Sequence, residues 1–202
     1  MTIKVLLADD QALVRGAIAT LLDLEPDIDV VAEVGRGDEV LAEVRRSMPD
    51  VCLLDIEMPG LDGLAVAELL ADVEPQCRSL IVTTFSRPGY LRRALDAGVG
   101  GFVVKDTPAK ELAEAVRRVH AGLRVIDPAL ATESLTSGPN PLTEREQQVL
   151  REALSGVPIA QIAMQVHLTA GTVRNHLSSA IGKTGTSTRA EAALVAQDLG
   201  WI

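Results

Sequence analysis

The chain has 202 residues, 47% of them apolar and only 2% aromatic, with a formal net charge of −9. That apolar fraction builds packed cores and excludes wholesale disorder, and so few aromatics exclude a stacking platform for single-stranded nucleic acid. The length allows one large domain or two small ones, and no stretch approaches the roughly 20 apolar residues of a membrane span.

The opening MTIKVLLADD is too short for a signal peptide and lacks a cleavage site. Its apolar run Ile3–Ala8 is the first of five, followed by Val30–Val34, Val51–Leu54, Leu80–Thr83 and Gly101–Val104. All are short and β-branched, as buried parallel strands are. Helix-spaced apolar residues lie between them: Leu13, Ala17, Ile18, Leu21 and Leu22, then Val40, Leu41 and Val44, then Leu64, Ala67, Leu69 and Leu70. Leu91, Ala94 and Leu95 follow, and then Leu112, Ala115, Val116 and Val119. Five βα units in series predict an α/β domain over residues 1–121, a doubly wound five-stranded parallel sheet covered on both faces. Cys52 and Cys77 have no metal-ligand spacing; Cys52 reads as a small buried hydrophobe, and a reduced, cytoplasmic setting is expected.

Residues 122–138 break the pattern, with a small, polar middle and Pro139 and Pro141 just beyond, which predicts a linker with a short helical turn around Pro128–Leu135. From residue 139 to 202 the pattern is helical throughout. Thr143 and Glu146 form a capping box ahead of Val149, Leu150 and Leu154. Pro158 opens a second helix with Ile159, Ile162, Ala163 and Val166 on one face. A tight turn at His167–Ala170 leads to a third helix, and a fourth runs from Thr188 to Leu199. Two helices joined by a tight turn suggest a helix-turn-helix, in an all-α four-helix domain. Five basic residues balance five acidic ones here, so the whole net charge lies in residues 1–138. A neutral reader predicts weak DNA affinity for a single copy, because neutralising phosphates supplies much of the binding energy.

In doubly wound sheets, ligands bind beyond the carboxyl ends of the strands. The residues there are Asp9 and Asp10, Asp55, Thr83 and Lys105. Crowded carboxylates raise one another's pKa unless a cation intervenes, and hard oxygen donors suit Mg²⁺. The predicted chemistry is phosphoryl transfer onto Asp55 as nucleophile. Asp10, Asp55 and the Glu57 backbone carbonyl would hold Mg²⁺ with help from Asp9, Lys105 would pair with the phosphoryl oxygens, and Thr83 would donate a hydrogen bond to them.

These segments resemble the receiver domain of two-component response regulators. LLADDQALVRGAI resembles the first strand and acidic pair, and CLLDIEMPGLDGL the D-x-x-M-P-x-x-D-G signature of Asp55, Met58, Pro59, Asp62 and Gly63. IVTTFSRPGY and AGVGGFVVKD resemble the switch-Thr and Lys segments. The resemblance implies that Phe102 is the switch aromatic, turning inward on phosphorylation. It also implies a sensor histidine kinase as partner, and no enzymatic activity beyond Mg²⁺-dependent autophosphorylation and autodephosphorylation. Lys105 followed by Asp106 is usual in the NarL/FixJ (LuxR-type) subfamily.

PLTEREQQVL and SGVPIAQIAMQVHLTAGTVRNHLSSAIGKTGTSTRAEA resemble that subfamily's four-helix DNA-binding domain, with a recognition helix over about residues 170–182. Arg174 is the candidate for reading guanine, Asn175 adenine, with Ser178 one turn on; Thr169, Thr172, Lys183 and Arg189 are candidates for the phosphate backbone. His176 is expected to pack or cap rather than to read a base. Gly182 and Thr184 beside Lys183 predict a loosened end to the recognition helix. Double-stranded DNA and a phosphorylation-dependent homodimer are the expected partners, RNA polymerase is a further candidate, and no membrane contact is expected. Homodimerisation would use the apolar first helix with the last receiver helix. Within the subfamily, TTFSRPGYLRRALDAGVGGFVVKD most resembles DesR-like regulators of membrane-lipid or membrane-stress signalling.

Overall fold

A computed structural model describes residues 2–84, 88–126 and 140–202, and the chain divides into two compact units. The first unit alternates strands and helices: β1 (Ile3–Ala8), α1 (Ala12–Asp23), β2 (Ile28–Val34), α2 (Gly37–Ser47), β3 (Val51–Leu54), α3 (Gly63–Val73), β4 (Arg78–Thr83), α4 (Pro88–Asp96), β5 (Gly101–Val104), α5 (Ala109–His120) and β6 (Val125–Ile126). Every pairing is parallel, in the order β2-β1-β3-β4-β5-β6. Continuous apolar runs are what such a sheet requires, since side chains leave both faces of a strand into helix-covered core. All four residues of β3 are buried. One core cluster joins Val5, Leu7, Leu53, Leu80 and Val103 to Ile18 and Leu22 of α1 and Val116 and Val119 of α5.

The sheet has one strand more than the five expected. Val125 and Ile126 pair with Gly101 and Phe102, at the start of the segment expected to be a linker. The chain turns back through Gly122, whose φ of 83° places it in the left-handed region that glycine enters without a Cβ penalty. The helical turn expected around Pro128–Leu135 lies outside the described residues.

The second unit contains α6 (Glu144–Leu154), α7 (Ile159–Gln165), α8 (Ala170–Thr184) and α9 (Arg189–Asp198). Both reciprocal capping boxes form, Thr143 with Glu146 and Thr188 with Glu191. Each satisfies two backbone donors that a helix start leaves unpaired. Thr169 caps α8 by accepting from Thr172 N at 3.1 Å. The turn before it passes through His167 at φ 54°, a conformation that non-glycine residues visit rarely. The core is small and aliphatic: Val149, Leu150, Ile162, Val173, Leu177 and Ala192 are buried together.

Candidate functional site

The strand order fixes where the acidic residues meet. β1 lies between β2 and β3, so the winding reverses there, and the crevice beyond the strand ends opens at that switch point. The β1–β3 ladder aligns Ala8 with Leu54, and Asp55 N donates to Ala8 O at 2.9 Å. Asp9 and Asp55 therefore leave adjacent strands side by side. Carboxylate oxygens of Asp9, Asp10 and Asp55 all lie within 4.8 Å of one another. Asp9 and Asp55 are buried and Asp10 is exposed.

Each buried carboxylate is held by one oxygen and faces Lys105 with the other. Asp9 Oδ1 accepts from Gln11 N at 2.8 Å, which also fixes the turn into α1. Asp55 Oδ1 accepts from Ile56 N at 2.8 Å. Lys105 Nζ lies 2.7 Å from Asp9 Oδ2 and 2.9 Å from Asp55 Oδ2, with its side chain only 6% exposed. β5 aims it there: Val104 pairs with Thr83, and Lys105 N donates to Thr83 O at 2.8 Å. Thr83 is thereby at the same sheet edge, buried at the end of β4.

Burial pushes the Asp55 carboxyl above the usual carboxylate range; the Lys105 ammonium pulls it back, and Asp9 pushes it further up. Burial works against the Lys105 charge, but its hydrogen bonds to Asp9 and Asp55 outweigh that and hold it above the ordinary lysine value. One cation therefore faces two buried anions, with a third carboxylate at the rim. This excess of hard oxygen donors fits a small divalent cation such as Mg²⁺. The Glu57 carbonyl accepts no hydrogen bond among the described residues.

The loop after β3 is fixed by a close approach that sequence spacing alone does not show. A Cβ on Gly63 would lie 2.0 Å from the Asp55 carbonyl oxygen, so only glycine lets α3 start against Asp55. Asp62 caps that helix, accepting from Ala65 N at 2.7 Å. Phe102 is 1% exposed. Its ring is thus inside in this structure, among the buried core residues.

In the second unit Arg174, Asn175 and Ser178 are exposed on α8, one helical turn spanning the three, and His176 is half-buried. Thr169 and Thr172 join hydroxyls at 2.8 Å at the N-terminus of α8. Lys183 is differently placed from a free phosphate contact. Its Nζ lies 2.7 Å from Glu146 Oε2, and Ser179 Oγ donates to Glu146 Oε1 at 2.6 Å. Burial would raise the Glu146 carboxyl, but the bonds from Lys183, Ser179 and Thr143 bring it down to about 2. Arg189 Nη2 donates to the Gly156 carbonyl at 3.3 Å. Both cations thus join α8 or α9 to the α6 region. The loosened helix end is not observed: α8 continues to Thr184 and closes on Gly185, φ 67°.

Comparison with known proteins assigns each unit. The family of response regulator receiver domains matches residues 5–117, and the luxR family of bacterial regulatory proteins matches residues 140–196. The transcriptional regulatory protein DesR of Bacillus subtilis (strain 168) is 43% identical over 200 residues, covering 99% of both chains. The transcriptional regulatory protein YvfU of the same organism is 42% identical over 200 residues, covering 99% of this chain and 100% of that one. The crystal structure of ChrA, a response regulator in a heme-sensing two-component system, aligns with 100% of this chain and 99% of its own at a TM-score of 0.60 and 31% identity.

Proposed function

The chain belongs to the NarL/FixJ (LuxR-type) response regulators, which regulate transcription, and from that membership we propose that phosphorylation of Asp55 by a sensor histidine kinase drives dimerisation and sequence-specific binding to double-stranded DNA. The observation that carries this reading is the shared Lys105 ammonium, within 2.9 Å of Asp55 and 2.7 Å of Asp9, beside an exposed third carboxylate. A buried carboxylate with a fixed cation beside it is prepared to receive a dianionic group, because the new charge finds a counter-charge already in place.

In the proposed reaction an Asp55 carboxylate oxygen attacks phosphorus, and the bond from phosphorus to its donor nitrogen or oxygen breaks. Asp9, Asp10, Asp55 and the Glu57 carbonyl are the residues that would hold Mg²⁺, which when bound neutralises charge on the transferring group. Lys105 exchanges its contact with Asp55 for the phosphoryl oxygens, and Thr83 donates a hydrogen bond to them. Movement of Thr83 and Lys105 biases the surface that follows β4 and β5, Phe102 included, between two arrangements. Residues 1–121 are the proposed phospho-acceptor unit and 139–202 the DNA reader, joined by 122–138.

For the dimer, α1 supplies a face that its sequence does not distinguish from core. Ile18 and Leu22 are buried, whereas Leu13 is 88% exposed and Leu24 75%, with Ala17 and Leu21 also exposed between them. Positions 13, 17, 21 and 24 share one side of the helix. An apolar stripe left in water favours association with a second copy.

The test is intact mass after incubation with acetyl phosphate and Mg²⁺. The parent gains about 80 Da, roughly one phosphoryl group, and Asp55→Asn does not. A parent chain that gains nothing overturns the phospho-acceptor reading and leaves a plain DNA-binding regulator.

A further inference from the structure

Cys52 and Cys77 take no part in the chemistry above. Cys52 lies within β3 and is fully buried, and Cys77 stands immediately before β4, nearly as buried. The fold brings them together across 25 positions, with their Sγ atoms 3.3 Å apart. A disulfide needs about 2.05 Å between sulfurs, so closing the bond asks for a movement of roughly 1 Å, within reach of side-chain rotation. Cys77 also lines a cavity of about 150 Å³, whose rim includes the exposed Ala71, Pro75 and Arg78. Cys77 thus borders a cavity open to solvent, and Cys52 does not.

We propose that Cys52 and Cys77 form a thiol-oxidation site, at which a small hydroperoxide entering the cavity converts the two thiols into an intramolecular disulfide. The Cys77 sulfur attacks one peroxide oxygen, the O–O bond breaks, and water leaves with Cys77 as a sulfenic acid. The Cys52 sulfur then attacks the Cys77 sulfur, the S–O bond breaks, and the hydroxyl departs with the Cys52 proton as a second water. Two thiols lose two electrons and the peroxide gains them. The order of the steps follows from position. Cys77 borders the cavity and Cys52 does not, so Cys77 meets the peroxide first; the Cys77 thiol beside it and burial both raise the Cys52 thiol from its ordinary value. A solitary buried cysteine is inert for lack of access and of a partner; here each thiol has the other 3.3 Å away, and Cys77 borders a cavity. The inference is independent of phosphorylation at Asp55.

The experiment uses the full-length chain under native conditions. Hydrogen peroxide is added, removed with catalase, and the protein is denatured in the presence of N-ethylmaleimide. The expected product is lighter than the parent by about 2 Da and takes up no maleimide until dithiothreitol is added, and peptide mapping joins Cys52 to Cys77. With Cys52→Ala the disulfide is absent and dimedone marks Cys77 instead. Recovery of both cysteines as maleimide adducts after peroxide overturns the proposal, as does over-oxidation of Cys77 without a disulfide, or a bond between chains. The decisive measurement is on the unaltered protein, so it stands whether or not the variant folds.

Discussion

Lys105 shares its ammonium between Asp9 and Asp55, so one positive charge answers two buried negative ones. Because the folded-state pKa of Asp55 is raised, the folded chain holds that proton more tightly than the unfolded chain does. The resulting stabilisation is present below the ordinary carboxylate value and is lost as pH rises through the raised folded value. At pH 7 the ionised Asp55 is therefore a cost, and Asp55→Asn raises the thermal midpoint in Mg²⁺-free buffer, by about 1 kcal/mol in stability. The advantage shrinks as pH falls toward 4 or as Mg²⁺ is added; thermal melts in which the parent is the more stable at pH 7 contradict this account. Lys105→Met acts in the opposite direction, costing about 3 kcal/mol by leaving two carboxylates without their cation, with part recovered by Mg²⁺. Glu146 has the reverse sign from Asp55. Its carboxyl is held down at about 2, so its contribution is present above the unfolded value and is lost as pH falls from about 4.5 toward 2. These roles differ in how far the sequence reveals them. Asp9, Asp55, Thr83 and Lys105 each follow an apolar run, so the strand pattern alone brings them to one edge. The capping box reveals half of what Glu146 does. Its ion pair joins residues 37 apart across two helices, and no local pattern marks that.

The helices and strands were legible where they are bounded by chemistry and blurred where they are not. β1, β3 and β5 match their apolar runs, since polar or turn-forming residues border them, whereas β2 and β4 each begin two residues early. There Asp29, which separates Ile28 from the run, and Arg78–Ser79 break the apolar pattern with polar side chains without breaking the ladder. β6 was missed because two residues carry no period at all; only the edge of β5 makes them a strand. Glycines divide in the same way. Gly63 and Gly182 look alike in sequence, each in a helix, but a Cβ at Gly63 meets backbone at 2.0 Å and one at Gly182 meets nothing within 4 Å. Gly63→Ala is expected to cost about 2 kcal/mol and to slow phosphorylation, since it displaces the backbone of the nucleophile. Gly182→Ala is expected to gain about 0.5–1 kcal/mol, the ordinary preference for alanine inside a helix. Urea denaturation of both variants checks the pair, and equal effects would mean that the contact at Gly63 is not what fixes the loop.

Across the whole chain the charge sits in the wrong place for a strong DNA binder. Residues 139–202 balance five cations with five anions. One of those cations, Lys183, is already held by Glu146, and another, Arg189, by the Gly156 carbonyl. Counterion release scales with the phosphates neutralised, each contributing about 0.9 to the slope of log affinity against log salt. One reader therefore binds weakly and with a shallow slope. Two readers joined by their receivers neutralise twice as many phosphates, and the second binds at a high effective concentration set by the first. Under the proposed function, dimerisation rather than a change within one reader is the step that phosphorylation would control. Replacing Leu13 and Leu24 by Glu puts four like charges across the α1 stripe of a dimer while leaving the core untouched, since both side chains are exposed. The doubly substituted chain is expected to accept phosphate and to melt as the parent does, yet to sediment as a monomer after phosphorylation. Its DNA binding should fall at least tenfold with about half the salt slope of the parent. A phosphorylated parent that gains DNA affinity while still sedimenting as a monomer would refute the dimer and shift the control to the reader itself.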